Sequence, residues 1–228
     1  LLPEYLMAAA VLVPLGCGHD VTATAEFRDP ASLPKAEELT GFSTPVGVNL
    51  DWIVDPEVFT IIDGWNIYRA EGDLPPPAEA YRKINTGLFV ESMYFDRSVV
   101  DGTLYWYRLT SVSPAGVEGF PTDPIAVRVD FSPPSPPTGV QLEYAGGQVH
   151  LYWDLHPESL EHFNVFRTPP EPPAFFGPVP ASLPDYFDPT VIPGTTYRYW
   201  VTAVDFSLNE SAPSETVSVL IPLPGSLE

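Results

Sequence analysis

The chain has 228 residues and a single cysteine, Cys17. One thiol closes no disulfide within the chain and builds no cysteine zinc cluster, so whatever folds must live on its apolar core. Lysine is nearly missing, with only Lys35 and Lys83; basic residues number 10 against 30 acidic ones, for a formal charge of −20. That balance repels nucleic acid and anionic membrane surfaces, so neither is an expected partner. The apolar run from Tyr5 to Gly16 is of signal-peptide length and too short for a comfortable membrane span. No G-x-S-x-G, H-E-x-x-H, P-loop or Arg-Gly-Asp motif occurs. Among so many carboxylates a chance pair is inevitable, so carboxylates alone do not argue for glycoside hydrolysis. The expectation is a protein that is not an enzyme.

Prolines are plentiful, at 29, with 16 glycines, while 44% of residues are apolar. A chain so rich in turn formers yet so apolar reads as many short strands joined by tight loops. The decisive pattern is a repeat. YFDRSVVDGTLYWYRLTSVS, from Tyr94, aligns without a gap with YFDPTVIPGTTYRYWVTAVD, from Tyr186, at an offset of 92 residues. Tyr94, Phe95, Asp96, Gly102, Tyr105 and Tyr107 recur as Tyr186, Phe187, Asp188, Gly194, Tyr197 and Tyr199. A spacing this long means two copies of one domain rather than a solenoid.

Period-2 alternation places Val48, Leu50 and Trp52 on one face of a strand, then Trp65 and Ile67, then Tyr105, Tyr107, Leu109 and Ser111. In the second copy Val149, Leu151 and Trp153 repeat the first of these sets, and HFNVFR repeats GWNIYR. The expected fold class is all-β: two tandem seven-stranded β-sandwiches of immunoglobulin-like type. The domains are expected at 40–130 and 139–222, joined by a proline-rich linker at 131–138 and preceded by a tether at 18–39, with a tail at 223–228. Within the tether region TATAEF alternates weakly, and DPASLPKAEEL reads as a short helix from Pro34 onward.

Both copies resemble fibronectin type III domains. The resemblance rests on the strand B tryptophans Trp52 and Trp153, the strand C segments WNIYR and FNVFR, the PGTTYRYWVTAVD run and the NESAPS turn. It implies a tyrosine corner at Tyr105 and Tyr197, each hydroxyl needing a backbone acceptor. It specifies a fold and leaves the ligand open.

Residues 1–17 read as a signal or anchor. Gly16-Cys17 after an apolar run resembles the cleavage site of a bacterial lipoprotein, with Cys17 as the lipid attachment residue, although Pro14 stands where that family prefers leucine. The implied localisation is extracellular or cell-surface, held to a membrane through a lipid on Cys17 or through the apolar segment itself. A protein partner or self-association is expected.

The candidate partner surface is the outward face of strands C and F: Tyr68, Trp106 and Arg108 in the first copy, Phe166, Arg198 and Trp200 in the second. Arg69 and Arg167 are expected beside Tyr68 and Phe166 on this face. Phe175 and Phe176, also candidates for that surface, lie in a proline-framed loop expected to fold back over the sandwich edge, the alternative being an exposed recognition tip. No cofactor is expected. Asp51, Asp55, Glu57 and Asp63 offer hard oxygens suited to calcium, and His156, Glu158, Glu161 and His162 offer donors for a divalent metal, but neither set has a binding-loop pattern. The function expected is a non-catalytic, surface-exported binding or structural protein. The alternatives are a subunit of an extracellular filament or sheath and an accessory module of an extracellular hydrolase.

Overall fold

The computed structural model describes residues 29–225. Cys17, the apolar segment and TATAEF lie outside the described residues. Two separate apolar cores form. The first gathers Val48, Leu50, Trp52, Trp65, Ile67, Tyr105, Tyr107 and Leu109; the second gathers Val149, Leu151, Trp153, Phe163, Val165, Tyr197, Tyr199 and Val201. These include every residue that alternation places inward except Ser111, which is buried as well, and Trp52 and Trp153 are only 4% and 5% exposed.

The first sandwich is built from β1 (Glu37–Thr44), β2 (Gly47–Ile53), β3 (Gly64–Glu71), β4 (Arg82–Lys83), β5 (Met93–Asp96), β6 (Leu104–Val112) and β7 (Ile125–Arg128). A three-stranded sheet in the order β1-β2-β5 faces a four-stranded one in the order β4-β3-β6-β7. The second sandwich uses β8 (Gln141–Ala145), β9 (Gln148–Tyr152), β10 (His162–Thr168), β11 (Ala174–Phe175), β12 (Val179–Pro180), β13 (Asp185–Asp188), β14 (Thr196–Val204) and β15 (Val217–Leu220). Its sheets are β13-β9-β8 and β11-β10-β14-β15, with β12 also on β10. Proline and Gly177 divide that edge into the two short pieces β11 and β12.

The helix expected from Pro34 does not form. A 3-10 turn covers Pro30–Ser32, and Glu37–Leu39 enter β1. Leu33 and Ala36 are buried in the first core, and Glu37 pairs with Ile53 of β2, with a register shift before Thr40. Tertiary pairing and burial override the helix propensity of Ala-Glu-Glu-Leu.

The tyrosine corners are present with reversed polarity. The Val100 N–H donates to the Tyr105 hydroxyl (3.3 Å), and the Ile192 N–H to that of Tyr197 (3.2 Å). The hydroxyl thus satisfies a loop donor instead of seeking an acceptor.

The linker is held at both ends. The Phe131 N–H donates to Asp101 Oδ1 (2.8 Å), and Asn209 Nδ2 to the Asp130 carbonyl (3.0 Å). The Ser135 N–H donates to Glu158 (2.9 Å), and His156 Nε2 donates to the Ser135 carbonyl (2.8 Å). Pro134 and Pro137 are buried. At Gly139, φ is +64° and a Cβ would stand 2.2 Å from Asp154 Oδ2, so any side chain there is strained and displaces the Asp154 carboxylate.

Leu208 has φ +63°, in the left-handed region, where the matching turn of the first copy has Gly116 at +76°. That conformation costs a branched side chain about 1–2 kcal/mol, and Leu208 is 48% exposed, so little burial offsets it. Leu208→Gly is expected to stabilise the second sandwich by about 0.5–1 kcal/mol after the added unfolded-state entropy is subtracted. A urea midpoint that rises confirms this; one that falls shows that Leu208 packs in solution.

Candidate functional site: the outer face of the larger sheet

β3 and β6 of the first sandwich, and β10 and β14 of the second, set the candidate residues in register. Tyr68 pairs with Arg108, and Ala70 with Trp106. Phe166 pairs with Trp200 and with Phe175, and Thr168 with Arg198. At the 92-residue offset, Trp106 matches Arg198 and Arg108 matches Trp200, so the two copies carry the same pair in inverted order.

In the first copy this face closes on itself. The Arg108 guanidinium lies 4.0 Å from the Tyr81 ring centre and 5.8 Å from that of Tyr68. It donates to the Ala78 carbonyl (3.0 Å), and Trp106 Nε1 donates to that of Gly72 (2.8 Å). Glu118 accepts from Tyr68 (2.6 Å), Asn66 (2.9 Å) and Thr110. Burial and the neighbouring Glu118 push the Tyr68 hydroxyl up to about 12. For Glu118 itself burial pushes the other way, but the three hydrogen bonds and Lys83 outweigh it and hold the carboxyl below the usual range.

In the second copy neither Trp200 nor Arg198 has a side-chain hydrogen bond to a loop like those of Trp106 and Arg108. Trp200 stacks on Phe166 with ring centres 5.7 Å apart and planes 9° from parallel. Phe175 lies on the other side of Phe166 at 5.5 Å and is 56% exposed. The result is a three-ring ladder, Phe175–Phe166–Trp200, running across β11, β10 and β14. Arg198 is exposed beside it, and its side chain makes no hydrogen bond or ion pair among the described residues. Phe175 and Phe176 divide: Phe176 packs on the core beside Tyr186 (5.5 Å) and does cover the sandwich edge, whereas Phe175 points out.

Arg69 and Arg167 are not on this face. Each turns inward to a buried aspartate. Arg69 donates to Asp96 (2.7 Å) and to Ser98, and Tyr107 also donates to Asp96 (3.1 Å). Arg167 donates to Asp188 (2.6 Å) and Thr190 (2.8 Å), and Tyr199 to Asp188 (2.7 Å). The physical reason is parity: Arg69 falls on the same side of β3 as Trp65 and Ile67, where only a paired guanidinium can be buried. Burial would raise the Asp188 carboxyl, yet hydrogen bonds from Thr190, Tyr199 and Arg167 hold it below the ordinary range. Burial, together with the carboxylate, pushes the Tyr199 hydroxyl far up.

Sequence reasoning missed this buried triad, and it missed Glu118 with its counterpart Glu210, which Asn164 and Thr202 bond. The signal was available: Arg, Asp, Tyr, Thr and Glu recur at matching positions of both copies.

The two candidate metal clusters have other roles. Asp55 caps a 3-10 turn, and Asp51 bonds the Asn49 side chain. His156 and Glu158 hold the linker, while His162 contacts Glu161. Among the described residues no group of three or more histidine, cysteine or acidic side chains is arranged to hold a metal ion. No helix among them is long and apolar enough to cross a membrane.

Two packed antiparallel sheets, repeated, define a tandem of immunoglobulin-like β-sandwiches. No protein-family model and no curated protein matches the chain. Among solved structures it is similar to the FN1–FN3 domains of chicken CNTN1, at 14% identity and a TM-score of 0.63. The match covers 82% of this chain and 64% of that one, so the chain spans less than two thirds of that structure. A two-domain fibronectin type III segment of chicken tenascin also matches, at 14% identity and a TM-score of 0.36, over 82% of this chain and 99% of that one. The CNTN1 likeness shows the fold, that of tandem fibronectin type III domains.

Proposed function

We propose that the protein is a non-catalytic, surface-exported binding or structural protein presenting two β-sandwich modules. Its partner surface is the outer face of the larger sheet in the second sandwich. The observation that carries this reading is the Phe175–Phe166–Trp200 ladder with Arg198 free beside it. Aromatic and arginine side chains are what protein interfaces concentrate at their energetic centres. The matching face in the first copy is satisfied internally and has less left to offer a partner.

Export rests on the sequence of residues 1–17. Mass analysis of the mature protein from its native host is expected to show an N-terminus at Cys17 carrying acyl chains; an intact apolar N-terminus would instead favour a packed subunit of an extracellular assembly. For the surface itself, Trp200→Ala is expected to weaken binding to the host envelope fraction at least tenfold, about 1.4 kcal/mol, while Arg97→Ala leaves it unchanged. Equal binding by both variants would remove this face from the function.

A further inference from the structure

The first sandwich shows what covers this kind of face. Residues 72–81 leave β3 and fold against the sheet, anchored by Trp106 to Gly72 and by Arg108 to Ala78, with Tyr81 buried. The covering segment, GDLPPPAEAY, is proline-rich and carries the carboxylates Asp73 and Glu79. In the second sandwich the corresponding loop, PPEPP at 169–173, stays exposed, and neither Trp200 nor Arg198 bonds to it. Of the ladder, Phe175 is exposed and Phe166 and Trp200 are half-buried. Part of the first sandwich's segment is meanwhile presented outward: Leu74 is 78% exposed, the Asp73 side chain 89%, and Pro75 and Pro77 are exposed. Pro77 has φ −65° and ψ 158°, the polyproline II conformation.

We propose that the protein binds a second copy of itself head to tail, with Asp73–Pro77 of one copy lying on the Phe175–Phe166–Trp200 ladder of the next. Aromatic-lined faces take polyproline segments by packing rings against a conformation already formed, which loses little entropy on binding. Asp73 then meets Arg198, a charge match; within its own chain Asp73 has only the exposed Arg128 at 3.4 Å. Because segment and ladder are different patches, the contact is heterologous. Each added copy leaves one segment and one ladder free, so oligomers lengthen with concentration. The inference rests on reading the ladder as a protein-binding surface.

The test is sedimentation velocity of the full chain across a wide concentration range, at about 0.15 M salt so that repulsion between acidic copies is screened beyond about 8 Å. A ladder of oligomers is expected. Arg198→Glu and, separately, Asp73→Arg are each expected to move association to at least tenfold higher concentration. The two changes combined in one chain are expected to restore it. Trp200→Ala should act like either single change, and the three charge variants should melt with the parent because Asp73 and Arg198 are exposed. A monomer at every concentration overturns the proposal, as does association that Arg198→Glu leaves unchanged. If the chain stays monomeric while Trp200→Ala still abolishes binding to the envelope fraction, self-association is wrong and the partner surface stands. If Trp200→Ala changes neither measurement, both fall.

Discussion

Asp188→Ala is expected to cost the second sandwich about 3–5 kcal/mol. The carboxylate is 1% exposed and the Arg167 side chain 10%. Removing the aspartate leaves a guanidinium in the interior with no counter-charge and takes away the acceptor of the Tyr199 hydroxyl. A domain of this size is held by only about 5–15 kcal/mol in total, so the loss is a large share of its stability. Urea unfolding followed by intrinsic fluorescence reads it. Replacing Arg167 by Met in the same chain should recover part of the loss, because the cost lies mostly in the stranded charge. If Asp188→Ala shifts the transition no more than a surface substitution does, the network is not closed in solution.

The same carboxylate sets an acid limit. Its folded pKa lies below the unfolded value, near 3.9. Its contribution is therefore fully present above about pH 4 and is lost as pH falls further through the folded value. The second sandwich should accordingly lose stability as pH falls below about 4, and that acid sensitivity should be reduced in the variant lacking both Asp188 and Arg167.

Trp153→Ala is expected to cost about 3–5 kcal/mol, the range for emptying a large aromatic site in a packed core. Trp153 sits between the two sheets with its ring 5.2 Å from that of Phe163, edge to face. Its Nε1 has no hydrogen-bond partner in the interior. Trp153→Phe therefore loses volume and ring contact but no hydrogen bond, and should cost distinctly less than the alanine variant. Equal costs for the two would mean that the indole nitrogen is bonded in solution. Trp52, with its Nε1 likewise unpaired, should behave in the same way in the first sandwich.

Much of this architecture was legible in the residues. Alternation located the strands around Trp52, Trp65 and Tyr107, because a strand buried on one face leaves a period-2 record. The 92-residue offset then separated the copies. What escaped was polar. Charge usually marks solvent, so Arg69 and Arg167 read as outward residues, although their parity with Trp65 and Phe163 puts them inside. Helix propensity misplaced Glu37–Leu39, since nothing local reports that Ile53 waits across the ladder. Trp200 and Arg198 lie on the outward side of β14, as alternation implies, but nothing local in the residues reports that residues 72–81 fold against the first copy's face.

The fastened linker also bears on durability. Proteases thread substrates as extended strands and need free amides and a flexible stretch to do so. Between the two sandwiches two prolines are buried, and the amides of Phe131 and Ser135 are already engaged by Asp101 and Glu158. Other prolines in the segment carry no amide hydrogen at all. The joint that would ordinarily be the first place for such a protein to be cut is thus expected to resist digestion, so limited proteolysis should leave both modules on one chain.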